Sequence, residues 1–249
     1  MPGPKLGRLL TDVTKLFETP TGVLFDIDGT LVDSNYQHAY AWWRALQEHG
    51  HRIPMFEIHR RIGMGSDNLL EELIGEYSEE LSTARARHFR PLSLELTPFE
   101  GASDLLRAVH GRGSNVVLAT SANKEDLAVL LKVIDADGAI DQVTSAADVE
   151  HSKPSPDVFQ RALEISGLDP ERAIVVGDTA WDIEAARKIG LRCVCVESGG
   201  WSPKDLLAAG AVAVFRTVKE LLDQLDESPI GALLRGRTAN LTEGHHGRN

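Results

Sequence analysis

Two rhythms of apolar residues divide this chain. From residue 98 onward, short unbroken apolar runs alternate with segments in which apolar residues recur every three or four positions. The spacing predicts helices over Ala102–His110, Lys124–Ile134, Pro156–Ser166, Trp181–Ile189 and Val218–Leu225. Between them it predicts strands over Asn115–Ala119, Gln142–Thr144, Ala173–Val176, Cys193–Val196 and Val212–Phe215. Residues 22–27 read as a first strand of the same kind. Strands that are apolar throughout, rather than at every second position, are buried on both faces, which implies a parallel sheet covered by helices on each side. Between residues 35 and 96 the rhythm is helical only, through Tyr36, Tyr40 and Trp43, then Ile58 and Ile62, then Leu69, Leu70, Leu73 and Ile74, then a last helix from Ala84 to Leu94. Breaks fall at Gly50, Pro54, Gly63–Gly65 and Gly75. The expected fold is therefore α/β, a doubly wound parallel sheet with an inserted all-helical cap. The core would comprise residues 1–33 and 98–234, the cap residues 34–97. Residues 1–20, with a helical pattern from Leu9 to Phe17, read as an N-terminal arm, and residues 235–249 as a polar, disordered tail.

Composition narrows the function classes. At 249 residues, 42% hydrophobic and 25% charged, the chain suits an ordinary globular protein with a substantial core. It holds no run of the roughly 18 apolar residues that a spanning helix needs. Its start lacks a signal-type apolar region, so the expected location is the cytoplasm. The formal charge of −11 argues against general affinity for nucleic acid, and any anionic substrate must be held by a local positive site. Cys193 and Cys195 share one strand face, a poor geometry for a disulfide and too few ligands for zinc, so both read as reduced core residues. A monomer and a dimer are both compatible with this composition.

The candidate chemistry starts at Phe25-Asp26-Ile27-Asp28-Gly29-Thr30, directly after the apolar run Val23-Leu24. Two carboxylates two residues apart at the end of a buried strand form an acid cluster that a divalent cation would neutralise. They also suit covalent catalysis, one aspartate attacking an electrophile while its neighbour handles protons. In a parallel sheet, ligands bind beyond the carboxyl ends of the strands. Asp26 and Asp28 lie just past the first predicted strand, Thr120 and Ser121 past Ala119, Lys153 in the loop after the short strand, and Asp178 to Asp182 past Val176. Separate segments thus deliver carboxylates, hydroxyls and one ammonium to a single edge. Ser155 and Pro156 are expected to cap the helix after Lys153, and backbone N–H groups at 27–28 and 121–122 to form an anion nest.

These motifs, DIDGT at 26–30, Thr120 after Leu118-Ala119, Lys153 in SKPSPDVF and GDTAWD at 177–182, resemble those of the haloacid dehalogenase superfamily over residues 21–225. The likeness is to its Rossmann-like phosphatases with a helical cap, such as phosphoglycolate phosphatase, and to β-phosphoglucomutase. It implies Asp26 as nucleophile, Asp28 as general acid/base, and Thr120 and Lys153 as phosphate-binding groups, to which the strand-end position adds the Ser121 hydroxyl as a further phosphoryl contact. It also implies Mg2+ held by Asp26, the main-chain carbonyl of Asp28 and Asp178. Asp182, one helical turn after Asp178, is expected to contact Lys153 or a metal-bound water, with a charge at the helix N-terminus as the competing reading. The implied partner is a small phosphorylated metabolite, not nucleic acid or a membrane. For acid catalysis, the Asp28 carboxyl is expected to be raised by neighbouring carboxylates and by desolvation under the cap.

Other residues carry weaker signals. In similar caps a histidine at the place of His38 lies near the entrance, implying a substrate or gating role; an ordinary helix-face histidine is the competing reading. Arg60, Arg61 and Ser66 flank a cap turn expected to face the core. Ser66 stands where mutases of this likeness carry an arginine for a second phosphate, which favours hydrolysis, with Arg60 or Arg61 as possible substitutes. Tyr40, Trp42 and Trp43 read as cap packing, Trp181 as a roof or a packing residue, and Gly199-Gly200-Trp201-Ser202 as the rim. His245 and His246 read as tail. A sugar phosphomutase and a non-catalytic binding protein on the same fold remain the competing functions.

Overall fold

The computed structural model describes residues 20–236; the expected arm before Pro20, and His245 and His246, lie outside the described residues. The core is a six-stranded sheet in the order β5-β4-β1-β6-β7-β8. Its strands are β1 Gly22–Phe25, β4 Asn115–Ala119, β5 Gln142–Thr144, β6 Ala173–Gly177, β7 Arg192–Val196 and β8 Ala213–Phe215. Every pairing is parallel, and β1 lies between β4 and β6, with Phe25 opposite both Leu118 and Val176.

The unbroken apolar strands serve two cores. Val23, Phe25, Val116, Leu118, Ile174, Val176, Val194 and Val196 face one side. There they meet α5 (Ala102–His110), α6 (Lys124–Ile134), α10 (Val218–Asp223) and α11 (Pro229–Leu234). Leu24, Val117, Ala119, Val175, Cys193 and Cys195 face the other, against α7 (Asp157–Ser166), α8 (Ala180–Lys188) and α9 (Pro203–Ala209). Strand side chains alternate between faces, so strands apolar on both sides are what a two-faced core demands. Both cysteines are free and buried, their sulfurs 3.7 Å apart.

Between β1 and α5 the chain makes the helical cap: α1 Asn35–Glu48, α2 Met55–His59, α3 Ser66–Ile74 and α4 Glu79–Leu92. These helices share a separate core of Ala39, Trp42, Leu46, Ile58, Ile62, Leu69, Leu70 and Leu81. The helical segment leaves and rejoins the sheet through a two-stranded antiparallel ribbon, β2 Val32–Asp33 with β3 Thr97–Pro98. The hydrophobic pattern does not foretell this ribbon, because two-residue strands carry no period. Helices α9 and α11, seven and six residues long, also lie outside the expected elements. Helix α7 begins at Asp157, not Pro156, and the Ser155 hydroxyl bonds the Asp157 carboxylate at 2.5 Å instead of capping the helix.

Candidate active site

The ends of β4, β1 and β6 bring the residues beyond them to one place, at the point where the chain order of the sheet reverses. Backbone bonds continue the sheet one residue further: Asp26 N donates to Val176 O at 2.9 Å and Thr120 N to Thr144 O at 3.1 Å. Lys153 arrives on the loop between β5 and α7 and is fully buried. Its Nζ donates to Asp26 Oδ1 at 2.5 Å and to Ala119 O at 3.1 Å, and lies 2.8 Å from Asp182 Oδ1. The other oxygen of Asp182 accepts from Thr179 N and Oγ1 at 3.1 and 2.7 Å, closing a capping box at the start of α8. One carboxylate therefore starts a helix and fixes the lysine.

Asp26, Asp178 and Asp182 each present an oxygen within 4.8 Å of the others, all buried. Three carboxylates face one ammonium, so the cluster carries uncompensated negative charge. Burial pushes the Asp26 carboxyl up to about 7, against the pull of Lys153, with Asp182 adding to the rise. Burial, then Asp182 and Asp26, hold Asp178 well above the usual carboxylate range. For Lys153 burial acts downward, but Asp182 and Asp26 outweigh it and raise the ammonium above the ordinary lysine range. Hard oxygen donors with excess negative charge fit a hard divalent cation.

The surroundings of Asp178 are built for close approach. Thr30 Oγ1 donates to its Oδ1 at 2.9 Å and Asn35 Nδ2 to its Oδ2 at 3.0 Å. A Cβ at Gly29 (φ 77°) or at Gly199 would overlap the Asp178 carboxylate, so both turns need a bare backbone. The Oδ1 of Asn35 is buried with no protein partner among the described residues.

Asp28 lies apart from this trio. Its Oδ1 accepts from Ser34 Oγ at 2.5 Å and meets His38 Nε2 at 2.9 Å. Arg85 bonds the His38 Nδ1. A guanidinium only donates, so Nδ1 accepts and the Nε2–H faces Asp28. The ring of His38 stacks on Phe89 with centroids 4.1 Å apart. Burial alone would raise the Asp28 carboxyl, but the hydrogen bonds from His38 and Ser34, with the positive charge of Arg85 behind them, bring it below its usual value. This reverses the expected direction. The acids near Asp28 are visible along the chain and the resemblance places His38 near the entrance; the bond from His38 to Asp28, and the Arg85 that α4 sets behind it, are not visible there.

A chamber opens between this edge and the cap, lined by Asp26, Asp28, His38, Trp42, Ser66, Arg85, Thr120 and Ser121 among others. Of the expected hydroxyls, the Thr120 Oγ1 accepts from Ala122 N at 3.0 Å, which occupies part of the anticipated nest at 121–122. The Ser121 Oγ has no protein partner among the described residues. Arg61 does not enter the chamber: it pairs with Glu72 at 3.0 Å and bonds Glu57 O. Arg60 offers its carbonyl to Trp181 Nε1 at 3.2 Å, and Trp181 stands edge-on to Trp201, so both tryptophans form the seam between cap and core. The rim residue Gly199 accepts from His59 Nε2 at 3.1 Å.

Four contributors escaped the sequence reading: Ser34, Asn35, Arg85 and Asp126. Only Arg85 left a signal, a charged residue on the apolar stripe Leu81–Arg85–Phe89 of α4.

The model of the haloacid dehalogenase-like hydrolase family matches residues 20–190. The chain belongs to this family. Members similar to it include a phosphoglycolate phosphatase of Aquifex aeolicus, 30% identical over 173 residues, or 68% of this chain and 81% of that protein. A phosphorylated carbohydrates phosphatase of Thermotoga maritima is 30% identical over 216 residues, covering 82% and 98%. Among solved structures, a hydrolase from Pseudomonas syringae superposes with a TM-score of 0.79 at 33% identity, covering 84% of this chain and 98% of that one. Among the described residues no helix is long and apolar enough to cross a membrane.

Proposed function

We propose that this hydrolase is a Mg2+-dependent phosphatase that cleaves a small phosphate monoester through a phosphorylated Asp26. The observation that carries the reading is the Asp26–Lys153 contact of 2.5 Å inside a buried carboxylate trio at the mouth of a chamber. Asp26, Asp178 and the main-chain carbonyl of Asp28 would hold the ion, which when bound supplies positive charge to the attacking carboxylate and the phosphoryl oxygens. Lys153 holds one Asp26 oxygen and offers charge to the phosphoryl group; the hydroxyls of Thr120 and Ser121 border the space the group would enter.

In the first half-reaction an Asp26 oxygen attacks phosphorus, the ester P–O bond breaks and the leaving oxygen takes a proton. In the second, water attacks the phosphorus and gives a proton to a carboxylate, and the bond between phosphorus and the Asp26 oxygen breaks, freeing inorganic phosphate and restoring Asp26. Asp28, held as a carboxylate by Ser34 and His38, is set for the second role. Donating in the first requires its protonated form, hence movement away from that pair. A helical cap tied to the sheet by a two-residue ribbon allows such movement as it opens and closes. Ser66 in the chamber wall, with Arg61 turned away to Glu72, favours hydrolysis over a mutase that grips a second phosphate.

The test is phosphate release from a panel of small esters with Mg2+. Release that ends with chelator and with Asp26→Asn supports the reading. Isomerisation of a sugar phosphate without net release would overturn it in favour of the mutase.

A further inference from the structure

Away from the carboxylate trio, the chamber has two unlike walls. Trp42, Ile62, Met64 and Leu69 of the cap form an apolar side. A polar strip of Ser121, Asn123, Asp126 and Arg85 faces the same space. Among the described residues, Arg85 is the one lysine or arginine lining this chamber.

That one cation is already matched. Arg85, on cap helix α4, donates from Nη1 to Asp126 Oδ2 at 2.5 Å and from Nη2 to His38, while its guanidinium covers the Phe89 ring at 4.6 Å. Asp126 comes from the opposite side, the first turn of core helix α6. Asn123 Oδ1 accepts from Asp126 N at 2.9 Å and Asn123 Nδ2 donates to the carboxylate at 3.0 Å. Both partners of the ion pair are almost fully buried.

A substrate carrying a second anion would have to draw Arg85 away from Asp126 and leave a carboxylate buried without its counter-ion, a heavily penalised arrangement. A hydroxyl meets no such conflict. It can donate to the Asp126 carboxylate with the ion pair intact. The carbon skeleton then lies on Trp42 and the aliphatic wall, the pairing of polar edge and apolar face that hydroxylated compounds present.

We infer that Asp126, opposed to Arg85, is a specificity-determining residue that keeps a second anionic group out of the chamber, so that the group esterified to phosphate is an uncharged, hydroxyl-bearing carbon skeleton. The inference rests on the phosphatase reading above. It makes selectivity a matter of exclusion as much as attraction. Sequence periodicity does not show it, because the two residues lie 41 positions apart on different helices.

The experiment compares kcat/KM for three esters of similar size: glycerol 1-phosphate with hydroxyls, 2-phosphoglycolate with a carboxylate, and ethanolamine phosphate with an ammonium. The wild-type protein should prefer glycerol 1-phosphate over 2-phosphoglycolate by about tenfold or more. In Asp126→Asn, which keeps shape and removes charge, that ratio should fall by about tenfold, chiefly through a lower KM for 2-phosphoglycolate. Asp126→Ser should move the ratio in the same direction if the Asn variant folds poorly. A lower melting temperature with an unchanged ratio would mean a purely structural ion pair and overturn the inference. A wild-type preference for 2-phosphoglycolate or for ethanolamine phosphate would overturn it too. Release of phosphate from none of the three, with release only from esters that carry a second charge, defeats the inference alone; release from no ester at all defeats the phosphatase reading itself.

Discussion

The sheet edge and the cap contribute to one chamber by different physical means. At the edge, position is a matter of register: β1, β4 and β6 end side by side, and the residues just beyond them must converge. Charge there is concentrated, with three buried carboxylates around Lys153. In the cap, position is a matter of side-chain packing on helices that share their own core. Charge there is neutralised in pairs, Arg85 with Asp126 and Arg61 with Glu72. The edge stores electrostatic imbalance suited to phosphoryl chemistry, and the cap supplies a balanced surface suited to choosing among substrates. Ser34, between the two, shows the change of regime. It precedes α1 at the N-cap position, yet gives its hydroxyl to Asp28 instead of the helix.

This contrast can be broken first at the edge. Asp26→Asn should lower phosphate release by about 10³-fold or more, since no other group lies where the nucleophile does; a rate assay with excess Mg2+ checks it, and near-normal turnover would remove Asp26 from the chemistry. Lys153→Met should cost about 10²- to 10³-fold in kcat through lost charge stabilisation, and it also leaves Asp26 and Asp182 buried without their counter-ion.

Asn35 stands on the border, a cap-helix residue that orients the edge residue Asp178. Asn35→Ala should weaken Mg2+ binding by about 10-fold or more, read by calorimetric titration in the absence of substrate. An unchanged affinity would make the edge independent of the cap.

The electrostatic imbalance also has a pH signature. A carboxyl raised in the folded state contributes stability that is full below its unfolded value, 3.8 for Asp26, and is lost as pH rises through about 7. Asp178, raised likewise, acts in the same direction. The metal-free protein should therefore lose thermal stability as pH rises from about 4 to 8. The increase in melting temperature on adding Mg2+ should be larger at the alkaline end, where both carboxylates would otherwise repel. Asp178→Asn should flatten the first slope; a slope unaffected by it would assign the pH dependence elsewhere.

The smallest effect belongs to the cap's contact with the lysine loop. Asn68 Nδ2 donates to the carbonyls of Ser152 and Lys153 at 2.9 and 3.1 Å. Asn68→Ala should raise KM by about twofold to tenfold with little change in kcat, as expected for about one net hydrogen bond's worth of closure.

Legibility in the sequence divides along the same line. The unbroken apolar strands announced a two-faced parallel sheet, and the rule that ligands gather beyond strand carboxyl ends then named Asp26, Asp28, Thr120, Lys153 and Asp178 without coordinates. The strand-end residues are few and local, so the pattern of the chain is enough to find them. The cap's contributions were not legible in this way. An exposed and a buried arginine look alike in a helix, and only packing distinguishes Arg61, turned to Glu72, from Arg85, turned to Asp126. The state of Asp28 depends on the same kind of fact: neighbouring acids are visible along the chain, whereas the bonds from His38 and Ser34 that reverse their effect form only once α1 is packed beside the sheet edge. Register along a strand is written in a period of two and survives without tertiary knowledge. Which charged groups face one another across two separate cores is a long-range pairing with no period, and it exists only once both cores have packed.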